Sequence, residues 1–320
     1  MSSYFITGAT GYIGSMLVKR LLVQEPDAQI TVLVRDRKRL EERFSKKETE
    51  HLFVFIGDVA DAGQMEKIEG DFDYLFHCAA VTKSAEMIEK PTEVAGVILD
   101  GTRQMLDLAG RCQVKSMVFL SSMEVYGNIS LGERRVTEEM SGEIDLFSAR
   151  SCYPLAKRMA EHLCYCYTDE YGVPVKVARL AQTFGEGILP SEGRVFAQFI
   201  RAAKEKRDIV LHTDGTSLGN YCEIQDALSA LLLLAEKGEN GQAYNVVNEA
   251  TTMEIRQLAQ LAAEKIGHGE IAVRYEIPEG NMYGYGAKTG LRMSAEKIQS
   301  LGWRPTKGLE EMLKDAAESL

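Results

Sequence analysis

"FITGATGYIGSMLVKRLL", residues 5–22, joins a short β-rich run to an apolar helix through a turn that contains Gly8, Gly11 and Gly14. Glycines in such a turn let the backbone bend tightly and approach a pyrophosphate, while the helix start offers unpaired N–H groups and a partial positive charge. The stretch therefore predicts a dinucleotide-binding loop. Tyr12 and Ile13, at the start of the helix, are expected to contribute to it.

The first half of the chain alternates short β-rich runs with amphipathic stretches. The runs are "YFITG" (4–8), "ITVLV" (30–34), "HLFVFI" (51–56), "YLFHCAA" (74–80) and "SMVFLSS" (116–122), with "VPVKVARL" (173–180) after them. This alternation predicts an α/β fold with a doubly wound parallel sheet. Beyond residue 180 the pattern is less regular, with helices expected near 194–206, 226–237 and 252–266, which indicates a smaller second part.

The end of the second predicted strand, "VLVRDRKR" (32–39), leaves the form of the dinucleotide open. Asp36 follows Gly14 at the spacing of roughly 20 residues at which an acidic side chain binds the ribose 2′-hydroxyl of NAD. Arg35 and Arg37 could equally bind the 2′-phosphate of NADP. The sequence therefore predicts NAD or NADP as cofactor.

Two later segments continue this predicted cleft. "FIGDV" (55–59) ends a strand with Asp58 and Val59, and Asp58 could hydrogen-bond the adenine edge. "HCAAVTKS" (77–84) follows another strand with the small residues Ala79 and Ala80, which leave room for a cofactor across the sheet. We expect all four residues to bind the cofactor.

"RSCYPLAKRMAEHLCY", residues 150–165, predicts a helix that begins close to Ser151–Tyr153, because proline is tolerated only in a first helical turn. Tyr153 and Lys157 then share a face, and an ammonium group beside a phenol favours the phenolate. Ser122 ends another predicted strand, in "FLSSMEVYG" (119–127), where ligands of open α/β sheets bind. The three residues make a constellation suited to proton transfer.

The composition limits the partners of the chain. It has 320 residues and a net charge of −10, which argues against nucleic acid as a main partner. Its longest aliphatic run, "ALLLLA" (230–235), is too short to span a bilayer, so we predict a cytoplasmic protein with no membrane partner. The histidines have no metal-ligand spacing, and we predict no metal.

These motifs together resemble the extended short-chain dehydrogenase/reductases, in particular the NAD-dependent epimerase/dehydratase group that acts on nucleotide sugars. The matching segments cover nearly the whole chain: "TGATGYIG", "GDV", "HCAA", "SSMEVYG", "YPLAK", "VARLAQTFGEG" and "SLGWRPTKGLEEML". The resemblance implies that Tyr153 is the catalytic base, that Lys157 lowers its pKa and binds the nicotinamide ribose, and that Ser122 hydrogen-bonds the reacting sugar oxygen.

The resemblance also implies a domain organisation. We expect a Rossmann domain over residues 1–180 plus roughly 215–248, and a smaller α/β substrate-binding domain over roughly 181–214 plus 249–320. The substrate implied is a nucleotide-diphosphate sugar. The family commonly forms homodimers that pack through helices including the one with Tyr153, so we expect a homodimer.

The family carries out several reactions after oxidising a sugar hydroxyl, usually at C4, to a ketone. Our leading hypothesis is an epimerase; the alternatives are a decarboxylase or dehydratase that uses Glu124, and an NADPH-dependent keto-sugar reductase. Glu124 lies where the dehydratases and decarboxylases carry a catalytic glutamate, and residues 150–180 are also similar to UDP-glucuronate decarboxylases. The neighbouring acid of the dehydratases is replaced by Met123.

Three positions concern the substrate. Gly219 replaces an arginine with which many relatives hold the diphosphate. Arg292 could be an alternative anchor or a surface residue, and Gln182, in place of a frequent asparagine, could still bond a ligand. We therefore predict Gln182 and Arg292 as substrate-binding residues.

Overall fold

A computed structural model describes residues 1–278 and 288–320. Twelve strands follow one another along these residues: β1 Ser3–Thr7, β2 Gln29–Val34, β3 Leu52–Ile56, β4 Tyr74–His77, β5 Ser116–Ser122, β6 Val175–Leu180, β7 Gln182–Phe184, β8 Ile209–Leu211, β9 Leu218–Glu223, β10 Ala243–Val246, β11 Asn248–Glu254 and β12 Val273–Tyr275. Seven of them form one sheet in the order β10-β6-β5-β4-β1-β2-β3. The pairs from β3 to β5 are parallel, as the alternation of the sequence predicts.

Helices connect the strands. They are α1 Tyr12–Gln24, α2 Arg37–Arg43, α3 Lys46–Glu50, α4 Ala62–Met65, α5 Ser84–Glu89, α6 Pro91–Arg111, α7 Cys152–Tyr171, α8 Val195–Lys204, α9 Ile224–Lys237, α10 Ile255–Lys265, α11 Glu296–Ser300 and α12 Leu309–Ser319. Short 3₁₀ turns at Met123–Tyr126 and Ala149–Ser151 follow β5 and precede α7. The parallel sheet with helices between its strands confirms the predicted fold class.

Helix α7 begins where its proline predicts. Cys152 is its first residue, so Pro154 lies in the first turn, where its missing N–H costs no helical hydrogen bond. The helix ends at Gly172, which has φ +69° and donates its N–H to the Thr168 carbonyl, a left-handed cap that glycine adopts without strain. Its apolar side, with Tyr153, Ala156 and Ala160, packs into the core beneath the sheet.

The chain divides into two compact units. The first comprises Met1–Val125, Ile144–Arg179 and Leu228–Tyr244, and the second comprises Tyr126–Glu143, Leu180–Ala227 and Asn245–Leu320. Residues 126–143, 180, 215–227 and 245–248, which we expected in the Rossmann domain, therefore cluster with the second unit. For residues 215–227 the reason is strand pairing, since β9 lies between β7 and β11 in a separate three-stranded sheet.

The second unit also contains a two-stranded sheet of β8 and β12. The helix expected near 252–266 begins only at Ile255, because the preceding residues form β11 and pair with β9. Also in this unit, the Asp226 carboxylate accepts hydrogen bonds from the Thr306 N–H (2.8 Å) and hydroxyl (2.7 Å). This contact fixes the segment that leads into α12.

Within residues 1–278 and 288–320, every helix is too short or too polar to cross a membrane. The aliphatic run at 230–235 lies on α9, whose Leu231 and Leu234 are buried in the protein core instead.

Lys176 on β6 is a buried lysine in the first unit. Its ammonium donates hydrogen bonds to Ser116 Oγ (2.8 Å) and the Pro174 carbonyl (3.4 Å), and burial lowers its pKa to about 8. We expect Lys176→Met to raise the free energy of unfolding by about 1–2 kcal/mol at pH 7, because a charge no longer has to be desolvated. Chemical denaturation of both proteins measures this difference.

The pH dependence checks the cause of that gain. Between pH 8 and the unfolded-state pKa of about 10.4, the unfolded state binds more protons at residue 176, so the unmutated protein gains stability as the pH rises. The advantage of Lys176→Met should therefore shrink over this range. The exposed Lys67→Met is the control and should change stability by less than about 0.5 kcal/mol. A destabilised Lys176→Met protein would contradict the prediction.

Candidate active site

The glycine turn after β1 is packed so closely that two of its glycines admit no side chain. Gly8 has φ +72°, and a Cβ there would lie 2.6 Å from the Cys78 carbonyl carbon. A Cβ on Gly14 would overlap the Gly8 carbonyl oxygen. These two glycines are therefore required by the fold of the turn itself.

Gly11 differs, because a Cβ there would meet only the Gly8 carbonyl oxygen, at 3.2 Å. Gly11 caps α1 without a side-chain hydrogen bond, and the first turn carries no acidic residue. The N–H groups that start α1 are therefore suited to a pyrophosphate, and Tyr12, Ile13 and Gly14 supply them through the backbone.

The residues predicted for the adenosine half of the cofactor lie at the carboxyl ends of β2 and β3. The Asp36 carboxylate accepts a hydrogen bond from the Lys38 N–H (2.8 Å) and caps α2. The Arg35 guanidinium lies 3.9 Å from the Asp58 carboxylate; the Arg35 side chain is largely exposed and that of Asp58 is partly exposed. The structure thus brings Arg35 and Asp58 together. Asp36, predicted for a ribose 2′-hydroxyl, and Arg35, predicted for a ribose 2′-phosphate, both lie at this edge of the sheet.

The other predicted contacts line the end of the neighbouring strands. Val59 is buried in the core, so it can offer a ligand only its backbone. Ala79 and Ala80 are half-buried beyond the end of β4, and the Ala79 N–H donates to Thr7 Oγ1 (3.3 Å).

Ser122, Tyr153 and Lys157 all belong to the first unit, where β5 and α7 position them. Lys157 is 2% exposed; its ammonium donates to the Leu120 carbonyl (2.6 Å) and lies 6.0 Å from the Tyr153 ring centre. Burial lowers the pKa of Lys157 to about 8, which the Glu161 carboxylate partly opposes. A buried ammonium beside a phenol is an arrangement that can stabilise the phenolate.

Glu124 lies in the 3₁₀ turn after β5 and its backbone N–H donates to Ser122 Oγ (3.2 Å). Its carboxylate accepts two hydrogen bonds, of 2.9 and 3.0 Å, from one guanidinium nitrogen of Arg150. Arg150 lies in the turn just before α7, three residues ahead of Tyr153. The Glu124 carboxylate, close to Ser122, is therefore already in an ion pair.

A family model described as the NAD dependent epimerase/dehydratase family matches residues 4–248, more than half of the chain. The chain belongs to this family. It is thus an enzyme of the NAD-dependent epimerase/dehydratase type, and the resemblance found in the sequence is confirmed. The family is NAD dependent, which confirms the prediction of a nicotinamide dinucleotide.

Members of the family with different reactions are similar to the chain. UDP-glucuronic acid decarboxylase 1 of Xenopus tropicalis is 29% identical over 314 residues, which cover 96% of the chain and 69% of the relative. dTDP-D-glucose 4,6-dehydratase of Mus musculus is 27% identical over 335 residues, covering 98% and 87%. The structure of UDP-glucose 4-epimerase with UDP-glucose from Thermotoga maritima has a TM-score of 0.85, 25% identity and coverage of 99% and 98%.

The two predicted substrate residues of this family member lie in the second unit. Gln182 begins β7, and its Oε1 is buried without a hydrogen-bond partner among the described residues. One guanidinium nitrogen of Arg292 lies 3.2 Å from the exposed Glu133 carboxylate. The Nε atom of Arg292 is buried and has no hydrogen-bond partner within residues 1–278 and 288–320. Both side chains therefore keep hydrogen-bonding capacity for a ligand.

The structure explains the glycine at 219. The Tyr221 ring folds over Gly219, so that a Cβ at residue 219 would overlap the Tyr221 hydroxyl. Tyr221 is fully buried and pairs in register with Gln182 across β7 and β9. The Tyr221 side chain therefore occupies the volume that a side chain at residue 219 would need.

Sequence reasoning missed Arg150 and Glu161. The Arg150 ion pair joins two turns that are far apart in the sequence, and only its position ahead of Tyr153 could have drawn attention to it. Glu161 follows Lys157 by one helical turn, a signal that the sequence did contain.

Proposed function

We propose that the protein is an NAD-dependent nucleotide-sugar epimerase that oxidises a sugar hydroxyl, at C4, to a transient ketone and reduces it again. The observation that carries the proposal is the ion pair of Glu124 with Arg150, next to Met123. This pairing occupies the carboxylate that an elimination or decarboxylation would use, and methionine cannot replace the missing acid. The remaining groups suit oxidation and reduction at one carbon.

Tyr153 acts as the base in this proposal. Its phenolate takes the proton from the C4 hydroxyl, and the C4 hydrogen leaves with its electron pair, so that a ketone forms. When bound over the glycine turn, NAD would serve as the acceptor of that hydride and, as reduced cofactor, as its donor. Reduction at the opposite face of the ketone, with return of the proton from Tyr153, then inverts C4.

Ser122 and Lys157 support this step. Ser122 Oγ, which accepts the Glu124 N–H, can still donate its own hydrogen to the reacting sugar oxygen. The buried Lys157 stabilises the phenolate form of Tyr153. In this proposal the dinucleotide binds to the first unit, at the glycine turn and at Arg35, Asp36 and Asp58. The substrate binds to Gln182 and Arg292 of the second unit.

A decarboxylase or dehydratase is the second candidate. It is favoured by the 29% identical UDP-glucuronic acid decarboxylase and by Glu124 itself, whose position beside Ser122 would place a carboxylate near the sugar. Substrate binding would then have to release Glu124 from Arg150. As substrate we propose a UDP-sugar, the ligand of the similar epimerase structure.

Glu124→Gln separates the two candidates, because it keeps the shape of the side chain but removes its charge. For the epimerase, we expect turnover to change by less than about threefold, since Glu124 takes no proton. For a decarboxylase or dehydratase, the ketone should form and stall, with persistent absorbance of reduced nicotinamide. The measurement is a single-turnover absorbance trace with UDP-, CDP-, GDP- and dTDP-sugars.

The exposed Glu69→Gln serves as the matched control and should behave like the unmutated protein. Stalled reduced nicotinamide in Glu124→Gln alone would replace the epimerase by the second candidate. Steady consumption of NADPH by the unmutated protein would instead identify a reductase.

Arg35→Ala tests the choice of cofactor. We expect it to weaken NADP binding by about tenfold or more and NAD binding by less than about twofold, because only NADP offers a 2′-phosphate for a charge-assisted hydrogen bond. Isothermal titration calorimetry with both dinucleotides gives the two affinities. Lys38→Ala, in the same basic segment, is the control, and equal losses for both cofactors in Arg35→Ala would make Arg35 a plain surface charge.

We also propose that the protein is a cytoplasmic homodimer. Exposed Met159, Tyr165 and Tyr171 on α7 support an interface through this helix. Light scattering of the purified protein would show twice the chain mass, and a monomer at micromolar concentration would contradict the proposal.

A further inference from the structure

Glu161 on α7 is a buried carboxylate outside the residues that act on the substrate. Arg179 on β6 donates to it from Nε (3.0 Å) and Nη2 (2.7 Å), and the Ser121 hydroxyl on β5 donates to its other oxygen. The side chains of Glu161 and Arg179 are only 10% and 13% exposed. A buried ion pair gives little net stability over apolar packing, so its place in the fold calls for another explanation.

The position of this pair is informative. Glu161 follows Lys157 by one helical turn and lies on the same side of α7. Ser121 directly precedes Ser122 at the end of β5. One carboxylate thus connects the strand that carries Ser122 with the helix that carries Tyr153 and Lys157, and Arg179 ties both to β6.

We propose that Glu161 is a positioning residue of the oxidation step: it fixes the Ser122 end of β5 against α7 and places a negative charge one helical turn from the Lys157 ammonium. The proposal rests on the proposed function, because it gives Lys157 the task of stabilising the Tyr153 phenolate. Glu161 itself touches neither the substrate nor the cofactor.

The groups around Lys157 support an electrostatic role. On its own helix it faces Tyr153, Glu161 and Cys164, and from the end of β4 it faces His77 and Cys78. Burial lowers the pKa of His77 to about 3 and raises those of both thiols, Cys78 to about 12, so these three groups are neutral near pH 7.

Glu161 is therefore the nearby carboxylate that offsets the desolvation of the Lys157 ammonium. Arg179 forms an ion pair with this carboxylate and cancels part of its charge. Removing the carboxylate should make Lys157 lose its proton at lower pH, since an opposite charge favours the charged form of its neighbour.

The direct test uses the full-length protein loaded with NAD and labelled with ¹³C at the lysine Cε. The Lys157 resonance is identified by its loss in Lys157→Arg. Its titration midpoint should fall by about one pH unit in Glu161→Gln. Asp169→Asn, an exposed carboxylate change on the same helix, should leave it unmoved. A midpoint within about 0.2 pH units of the unmutated protein in Glu161→Gln would overturn the proposal.

Ser121→Ala tests the second half of the proposal and decides the matter if Glu161→Gln does not fold. It removes one donor to Glu161 but keeps the charge, so the Lys157 midpoint should stay and turnover of the best UDP-sugar should fall about threefold to tenfold. Unchanged turnover would overturn the positioning role. The NMR result is independent of the substrate, so failure of the epimerase proposal and failure of this inference are distinguishable.

Discussion

Tyr153→Phe is expected to lower turnover by a factor of about 10² or more, the typical contribution of a positioned acid–base group. The substitution removes the hydroxyl that takes the sugar proton but keeps the ring, which is buried among the core side chains of the first unit. Stability should therefore change little. NAD affinity should stay within about threefold, because the glycine turn that would hold the pyrophosphate is untouched.

The experiment measures turnover by product analysis with the sugar panel, and NAD affinity by calorimetry. Tyr165→Phe is the matched control, since Tyr165 lies on the same helix with an exposed side chain and should keep full turnover. If Tyr153→Phe turned over its substrate at the normal rate, Tyr153 would not be the base, and the proposed chemistry would fail under each of the catalytic alternatives.

Gly11→Val is expected to abolish NAD binding while the protein stays folded. A side chain at residue 11 meets only the Gly8 carbonyl oxygen, at a distance that small shifts can relieve, but it would fill the space in front of the first turn of α1. An affinity loss of 100-fold or more is expected, because the pyrophosphate could no longer reach the helix N–H groups. Calorimetric titration with NAD and thermal unfolding of the same samples measure the two effects.

Two further glycine variants complete this comparison. Gly14→Val should lose stability as well as NAD binding, because its side chain would overlap the backbone at Gly8. Gly193→Val, where the space around the residue is open, should affect neither property. Undiminished NAD affinity in a folded Gly11→Val protein would remove the cofactor from this turn.

Most strands of the first unit could be predicted, because they are apolar runs separated by amphipathic stretches, whereas its short helices α2 to α5 were not predicted. β2, β3 and β5 lie within a residue or so of their predicted bounds. The three-stranded sheet of the second unit was not predicted. Its strands "QTF", "LGNYCE" and "NEATTME" lack the alternation of apolar and polar residues that marks a strand, and only their partners define them.

The candidate site shows the same contrast. Tyr153 and Lys157 could be paired from the sequence because a single helix sets their spacing, and the glycine turn is local as well. The ion pair of Arg150 with Glu124, and that of Arg179 with Glu161, join separate elements. Such contacts depend on how strands and helices pack, which no local pattern records. The assignment of roles to these residues stays a prediction until the variants are measured.

The Tyr221 ring over Gly219 has a consequence for any attempt to redesign ligand specificity. A protein engineer who wished to restore a cationic side chain at residue 219 could not do so by one substitution, since the aromatic ring already fills the volume. The ring would have to be replaced by a small side chain first, at the cost of its edge contact with Phe184. Residues 219 and 221 are thus epistatic: an arginine at the first is tolerable only in a background already altered at the second.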